Sequence, residues 1–293
     1  MEYKSLQYKA FTVVNYIILT LLAIACLYPF YYVVVASVSN PEALMRHRGL
    51  LLHPLRELTL DGYRMVFSNR LVLSGFKNTF FVLFMGLIFN LLLTVIGAYV
   101  LSLKDLLLRK PLTIMVIITM YFSGGLIPTY LNIRELGILD SQWALIIPGA
   151  ITTSNLIIMR SAFLSVPDSL PEAARIDGAT HLQILFNVML PLVKATLAVM
   201  VLYYGVAHWN AWFNASIYLR TPSKFPLQLV LRNILVENQT ADMMQDIEAA
   251  RSPQVQILIK YALIVVSSVP IICIYPFLQK FFQKGVMMGA VKG

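Results

Sequence analysis

Residues 169–192 read SLPEAARIDGATHLQILFNVMLPL. Ser169 stands three residues before Glu172, with Pro171 between them, a spacing that predicts a capping box at the start of a short helix. Gly178 then ends that helix, because glycine takes the left-handed conformation at a helix end without steric cost. Thr180 and Gln183 repeat the capping-box spacing and start a second helix, through Leu182, Leu185, Val188 and Met189 towards Pro191. The expectation is a helix–glycine–helix hook over 169–192. A first helix this short is unstable alone, since nucleation fixes several residues for few hydrogen bonds. It must pack on something, either a membrane surface or another protein.

The hook lies between two apolar runs. The chain has 293 residues, 58% hydrophobic and 13% charged, against about 25% charged in an ordinary soluble domain. Uncharged stretches cover 10–41, 78–103, 111–133, 141–159, 195–219 and 261–279. A spanning helix needs about 20 such residues, so six spans are expected, near 11–38, 79–103, 111–133, 141–159, 192–215 and 257–279, in one all-α membrane domain of 293 residues. The first stretch is too long for a cleavable signal and ends in Ser37-Val38-Ser39-Asn40-Pro41, without a small-residue cleavage site.

The net charge of +9 comes from basic residues that flank apolar runs, as interface anchors do, which argues against a nucleic-acid partner. Lys and Arg counts split almost evenly across the membrane. However, the side holding both termini and the hook has the shorter loops, and nine of the 14 acidic residues lie on the other side. Both basic termini and the hook are therefore expected in the cytoplasm. Cys26 and Cys273 fall inside apolar runs and imply neither a disulfide nor a metal site.

Two stretches are candidates for a translocation path. The third span carries Ser123-Gly124-Gly125-Leu126-Ile127-Pro128-Thr129-Tyr130, where glycines and proline permit either a break lining a cavity or close helix packing. The fifth carries Tyr203, Tyr204, His208, Trp209, Asn210, Trp212 and Asn214. Rings flanked by amides suit a sugar, whose apolar faces stack and whose hydroxyls need partners; the same rings also suit an interfacial belt. Tyr130, Tyr203, Tyr204, Trp209, Asn210 and Asn214 are the pathway residues expected on this reading. Residues 42–77 form an outer segment that alternates charged and apolar groups, part of it expected as an interfacial helix, and 220–256 form a polar outer loop with an acidic stretch from Glu237 to Glu248 that suits a partner.

No GxxxxGK[ST] loop, HExxH, cysteine–histidine metal spacing or GxSxG turn occurs, so no catalytic residue, bound metal or cofactor is expected in this chain. The six stretches also lack Asp, Glu, Lys and Arg. Ion-coupled transporters place such groups in the membrane, so energy has to come from outside the spans. Two other classes remain open: an independent facilitator, and a membrane enzyme or scaffold without a transport role.

Glu172-Ala173-Ala174, three residues, Gly178, nine residues, Val188, one residue and Leu190-Pro191 resemble the EAA loop of binding-protein-dependent ABC importer permeases. Asp177 and Ala179 match its Asp-Gly-Ala core, and Val188 stands where isoleucine is usual. Asn78-Thr79, Ser123 to Pro128, His208-Trp209-Asn210, Pro226-Leu227-Gln228, Tyr275-Pro276-Phe277 and Gly289 to Gly293 resemble the carbohydrate branch, in particular the subfamily serving complex oligosaccharides from pectin- or alginate-like polymers. The resemblance implies a six-helix type I importer domain in a bacterial cytoplasmic membrane. It also implies a second permease subunit, two ATPase subunits that bind ATP and Mg, and an external solute-binding protein. On that model Glu172, Ala173, Ala174, Asp177, Gly178 and Ala179 couple to the ATPase, the tail with Gly289, Lys292 and Gly293 reaches it too, and an oligosaccharide crosses by alternating access.

Overall fold

The computed structural model describes residues 6–236 and 253–290, and every regular element among them is helical. Their contacts form two units, one of Met1–Arg70 with Asn233–Ser268, the other of Leu71–Arg232 with Val269–Gly293.

In the first unit, α1 (Leu6–Ser37) runs 32 residues, about 48 Å at 1.5 Å per residue, enough for a bilayer core of about 30 Å. Most of its length is exposed, Leu19, Ile24 and Leu27 included. Only its end is packed, where Tyr32, Val35 and Ala36 join Leu44, Leu51, Leu55, Ile257 and Tyr261. Asn40 stops α1 and caps α2 (Pro41–Arg46), its side-chain oxygen accepting from the amides of Glu42 and Ala43 at 3.1 and 3.2 Å, with Pro41 preset for the first helical position. The expected outer segment is thus ordered into α2 and α3 (Asp61–Ser68), with Leu51 buried between Leu50 and Leu52, which are exposed.

In the second unit the axis is α4 (Arg70–Ser102), 33 residues without a break. Around it the chain is repeatedly interrupted. The run expected as one span over 111–133 is α5 (Arg109–Tyr121) and α6 (Leu126–Glu135), bent by 113°. Gly125, at φ +86°, makes that corner, a conformation open to glycine. The span expected over 141–159 is instead a 3-10 turn at Gln142–Leu145, irregular backbone through Pro148-Gly149, and α7 (Thr153–Leu164). Proline and glycine there end helical bonding that length and apolarity alone would allow. The run expected as the fifth span, over 192–215, is not one helix. Pro191 belongs to α9 (His181–Leu192), which meets α10 (Lys194–Trp209) at an 87° bend, and α11 (Trp212–Tyr218) follows. Two helices are divided between the units: α12 (Leu227–Val236), and α13 (Pro253–Ala290), which holds Pro270 and Pro276. Three described helices are long and apolar enough to cross a membrane, or five if each bent pair is one span.

Breaks at membrane depth need their freed backbone groups satisfied by protein, and for the break after Leu145 α4 does this with polar side chains. Asn90, fully buried, donates to the carbonyls of Gly149 and Ala150 at 2.8 and 2.9 Å. Its Oδ1 then accepts from His208 Nε2 at 2.6 Å, which puts the His208 proton on that nitrogen. Gly86 makes room, since a Cβ there would stand 2.3 Å from His208 Nε2. Thr94 meets the Tyr204 hydroxyl at 2.7 Å, and that hydroxyl accepts from the amide of Thr152 at 3.1 Å. Towards the other end, Asn78 donates to the carbonyls of Ser223 and Phe225, and Thr79 accepts from the amide of Leu227 at 2.9 Å.

Candidate functional site

The hook forms as two helices, α8 (Ser169–Ile176) and α9. Its first capping box does not. The helix begins one residue earlier, at the N-cap Asp168, and the amide of Glu172 donates to the Asp168 carbonyl at 3.1 Å, so it is not available to Ser169. Pro171 removes a further donor from the first turn. The second box is present: Thr180 accepts from the Gln183 amide, and Gln183 Oε1 accepts from the Thr180 amide at 2.8 Å.

The corner at Gly178 has φ +82°. The amide of Ala179 reaches back to the Ala174 carbonyl at 2.9 Å and that of Gly178 to the Arg175 carbonyl at 3.0 Å, the paired bonds of a Schellman end. Asp177 sits at the C-cap, its amide bonded to the Ala173 carbonyl. Ala174 and Ala179 turn inward against the core of Ala98, Tyr99, Phe163, Ile184 and Leu185. Leu170, Glu172, Ala173, Ile176 and Asp177 face out, with Ile176 87% exposed. Fully burying an aliphatic chain of that size stabilises an association by about 1.5–3 kcal/mol.

Three polar contacts that sequence reading missed tie the hook to the end of α4. Lys104 Nζ pairs with Asp168, Arg175 donates to Asp105 Oδ2 at 2.9 Å, and the Tyr99 hydroxyl meets His181 Nδ1 at 3.1 Å. Beneath them lies a cleft of about 110 Å³ lined by Tyr99, Lys104, Asp105, Asp168, Glu172 and Arg175. The alternation of sign between 104–105 and the 168–175 segment was the available signal, but charge pairs carry no register until helix ends are placed. Arg160 also donates from Nε to the carbonyl of Leu101 at 3.0 Å.

The expected pathway residues do not come together as one cluster. Tyr204 and Trp209 are each 3% exposed. Tyr204 spends its hydroxyl on Thr94 and Thr152. Trp209 packs edge-on against Phe80, and its indole N–H has no acceptor among the described residues. Neither ring is presented to solvent, because both fill the space beside α4. Tyr203, Asn210 and Asn214 are exposed. Tyr130 lies apart from them, stacked on Tyr218 at 6.5 Å and accepting from Arg220. In the tail, Gly289 belongs to α13, while Lys292 and Gly293 lie outside the described residues, as does the acidic stretch from Glu237 to Glu248.

At the end of α4 away from the hook, Asp140 gathers the segment after α11. It takes φ +54°, accepts from the amides of Arg220 and Thr221 and from the Thr221 hydroxyl, and pairs with Lys224 at 2.9 Å. These donors, the Thr221 hydroxyl foremost, hold its carboxyl well below the usual carboxylate range.

No family model matches the chain. The chain is 38% identical over 285 residues to the "Polygalacturonan/rhamnogalacturonan transport system permease protein YtcP" of Bacillus subtilis (strain 168), covering 97% of this chain and 99% of that one. It is also 38% identical over 286 residues to "Protein LplC" of the same organism, covering 97% and 96%. A crystal structure of a bacterial ABC transporter involved in the import of the acidic polysaccharide alginate superposes with a TM-score of 0.88 at 33% identity, over 96% of this chain and all of that one.

Proposed function

We propose a coupling mechanism for this chain, which belongs to the family of permease subunits of sugar ABC transporters: it carries an oligosaccharide across the cytoplasmic membrane, and the hook delivers the energy. The observation that carries this reading is the geometry of residues 168–192. A short helix shows an apolar and acidic outer face, has its inner face seated on the core, and is strapped by side chains to the end of the longest continuous helix of its unit.

The partners are a second permease subunit, two ATPase subunits and an external solute-binding protein. ATP and Mg belong to the ATPase subunits, and this chain holds no cofactor and catalyses no bond change. Leu170, Glu172, Ala173, Ile176 and Asp177 dock in the ATPase, while Ala174, Gly178 and Ala179 set the angle at which the hook leaves the core. When the ATPase pair closes on ATP it binds the hook in one of two positions more tightly, and that difference in affinity shifts the spans between inward and outward states. The second unit moves as a body because its break at 149–152 is pinned to α4 and its core is close-packed.

The test is ATP-dependent uptake of oligosaccharide by the reconstituted complex. Glu172→Lys should abolish uptake while the complex still assembles. Gly178→Val should do the same, because a β-branched residue in the left-handed conformation costs roughly 1–2 kcal/mol and misaims the hook. Gly178→Asn, which tolerates that conformation, should retain most uptake. Normal uptake with both Glu172→Lys and Gly178→Val would remove the coupling role.

A further inference from the structure

The segment that Asp140 gathers begins with Arg220, whose guanidinium meets no carboxylate among the described residues. The Asp140 carboxylate takes the backbone amide of Arg220, not its guanidinium, and directs its other oxygen to Thr221 and Lys224. Arg220 makes no ion pair among the described residues. Its guanidinium is nonetheless held in place. One nitrogen donates to the Tyr130 hydroxyl at 3.2 Å, and the Tyr130 ring is stacked at 25° on Tyr218, which is 4% exposed. Tyr218 in turn sits in a core with Ala144, Leu145, Ile146 and Leu219. Three separate stretches of chain thus converge to fix one exposed cation beside one half-buried ring.

A carboxylate accepts two parallel bonds from a guanidinium fork, and a sugar ring lays an apolar face on an aromatic one. A uronic acid unit has both groups on a single ring. We propose that Arg220 and Tyr130 form a subsite on the outer side that receives a uronate unit of an acidic oligosaccharide, Arg220 binding the carboxylate and Tyr130 the pyranose face. Asp140 is the positioning residue, since it fixes the backbone from which Arg220 extends. This rests on the importer reading and adds the substrate's charge to it.

The experiment is uptake by the full complex in vesicles, with binding protein and ATP, of tetragalacturonate and of its neutral methyl ester. Arg220→Gln should raise KM for the acid about tenfold, the loss expected for a hydrogen-bonded charge, leaving kcat and KM for the ester unchanged. Arg220→Lys should fall between, since an ammonium lacks the fork. Tyr130→Ala should raise KM for both forms. Equal loss of acid and ester uptake in Arg220→Gln, relieved by more binding protein, would make Arg220 a docking contact and overturn the subsite, as would an unchanged KM for the acid. Wild-type uptake of the ester but not the acid would overturn the subsite alone. No ATP-dependent uptake of any oligosaccharide by the wild-type complex would overturn the importer reading, and the subsite with it.

Discussion

Asn90 shows how much of this fold rests on single polar side chains. Its four hydrogen-bonding positions are limited, and three are committed: two donors to the carbonyls of Gly149 and Ala150, and the oxygen to His208. Replacing Asn90 with leucine, of similar volume, strands those carbonyls and a buried N–H. Each stranded group costs about 1–3 kcal/mol, so the variant should lose several kcal/mol of stability. A thermal melt of the detergent-solubilised complex reads this as a fall in midpoint, and an unchanged melt would mean that water replaces the amide. Asn78 is committed in the same way, donating to Ser223 and Phe225 while accepting from Gln142 at 2.6 Å. That is the physical content of the Asn78-Thr79 and Pro226-Leu227-Gln228 signatures, which are two halves of one contact.

Between elements, the consequential junction is that of α8 with the Lys104-Asp105 turn. Both ion pairs there are exposed, and exposed pairs contribute about 0–1 kcal/mol each. They therefore matter for aim more than for folding. Lys104→Asp or Asp168→Lys alone places like charges together and should lower substrate-stimulated ATPase activity severalfold at normal assembly. The double exchange should recover most of it. Basal ATPase rates recorded beside the stimulated rates separate lost coupling from lost docking. A double variant no better than either single would show that the pair does not orient the hook.

For the whole molecule, the exposed break at residues 122–125 sets a requirement on the surroundings. Non-helical backbone cannot face hydrocarbon, because its polar groups would go unpaired at several kcal/mol each. The break calls for protein cover from outside the described residues, the place of a second permease subunit. Expressed without that permease, the chain should fall severalfold in abundance in the membrane, as read by immunoblot against co-expression; equal levels would show that the break is already covered. The sequence by itself determined the class, the hook and its glycine corner, because charge exclusion from the bilayer and capping chemistry act over a few neighbouring residues. It also placed Gly124-Gly125 where a break or close helix packing was open. Only the tertiary structure decided that Tyr204 and Trp209 face inward, that Lys104 and Asp105 pair with the hook, and that Arg220 bonds Tyr130. Those outcomes depend on contacts between residues 50 to 150 positions apart, which no local pattern of hydropathy or charge encodes.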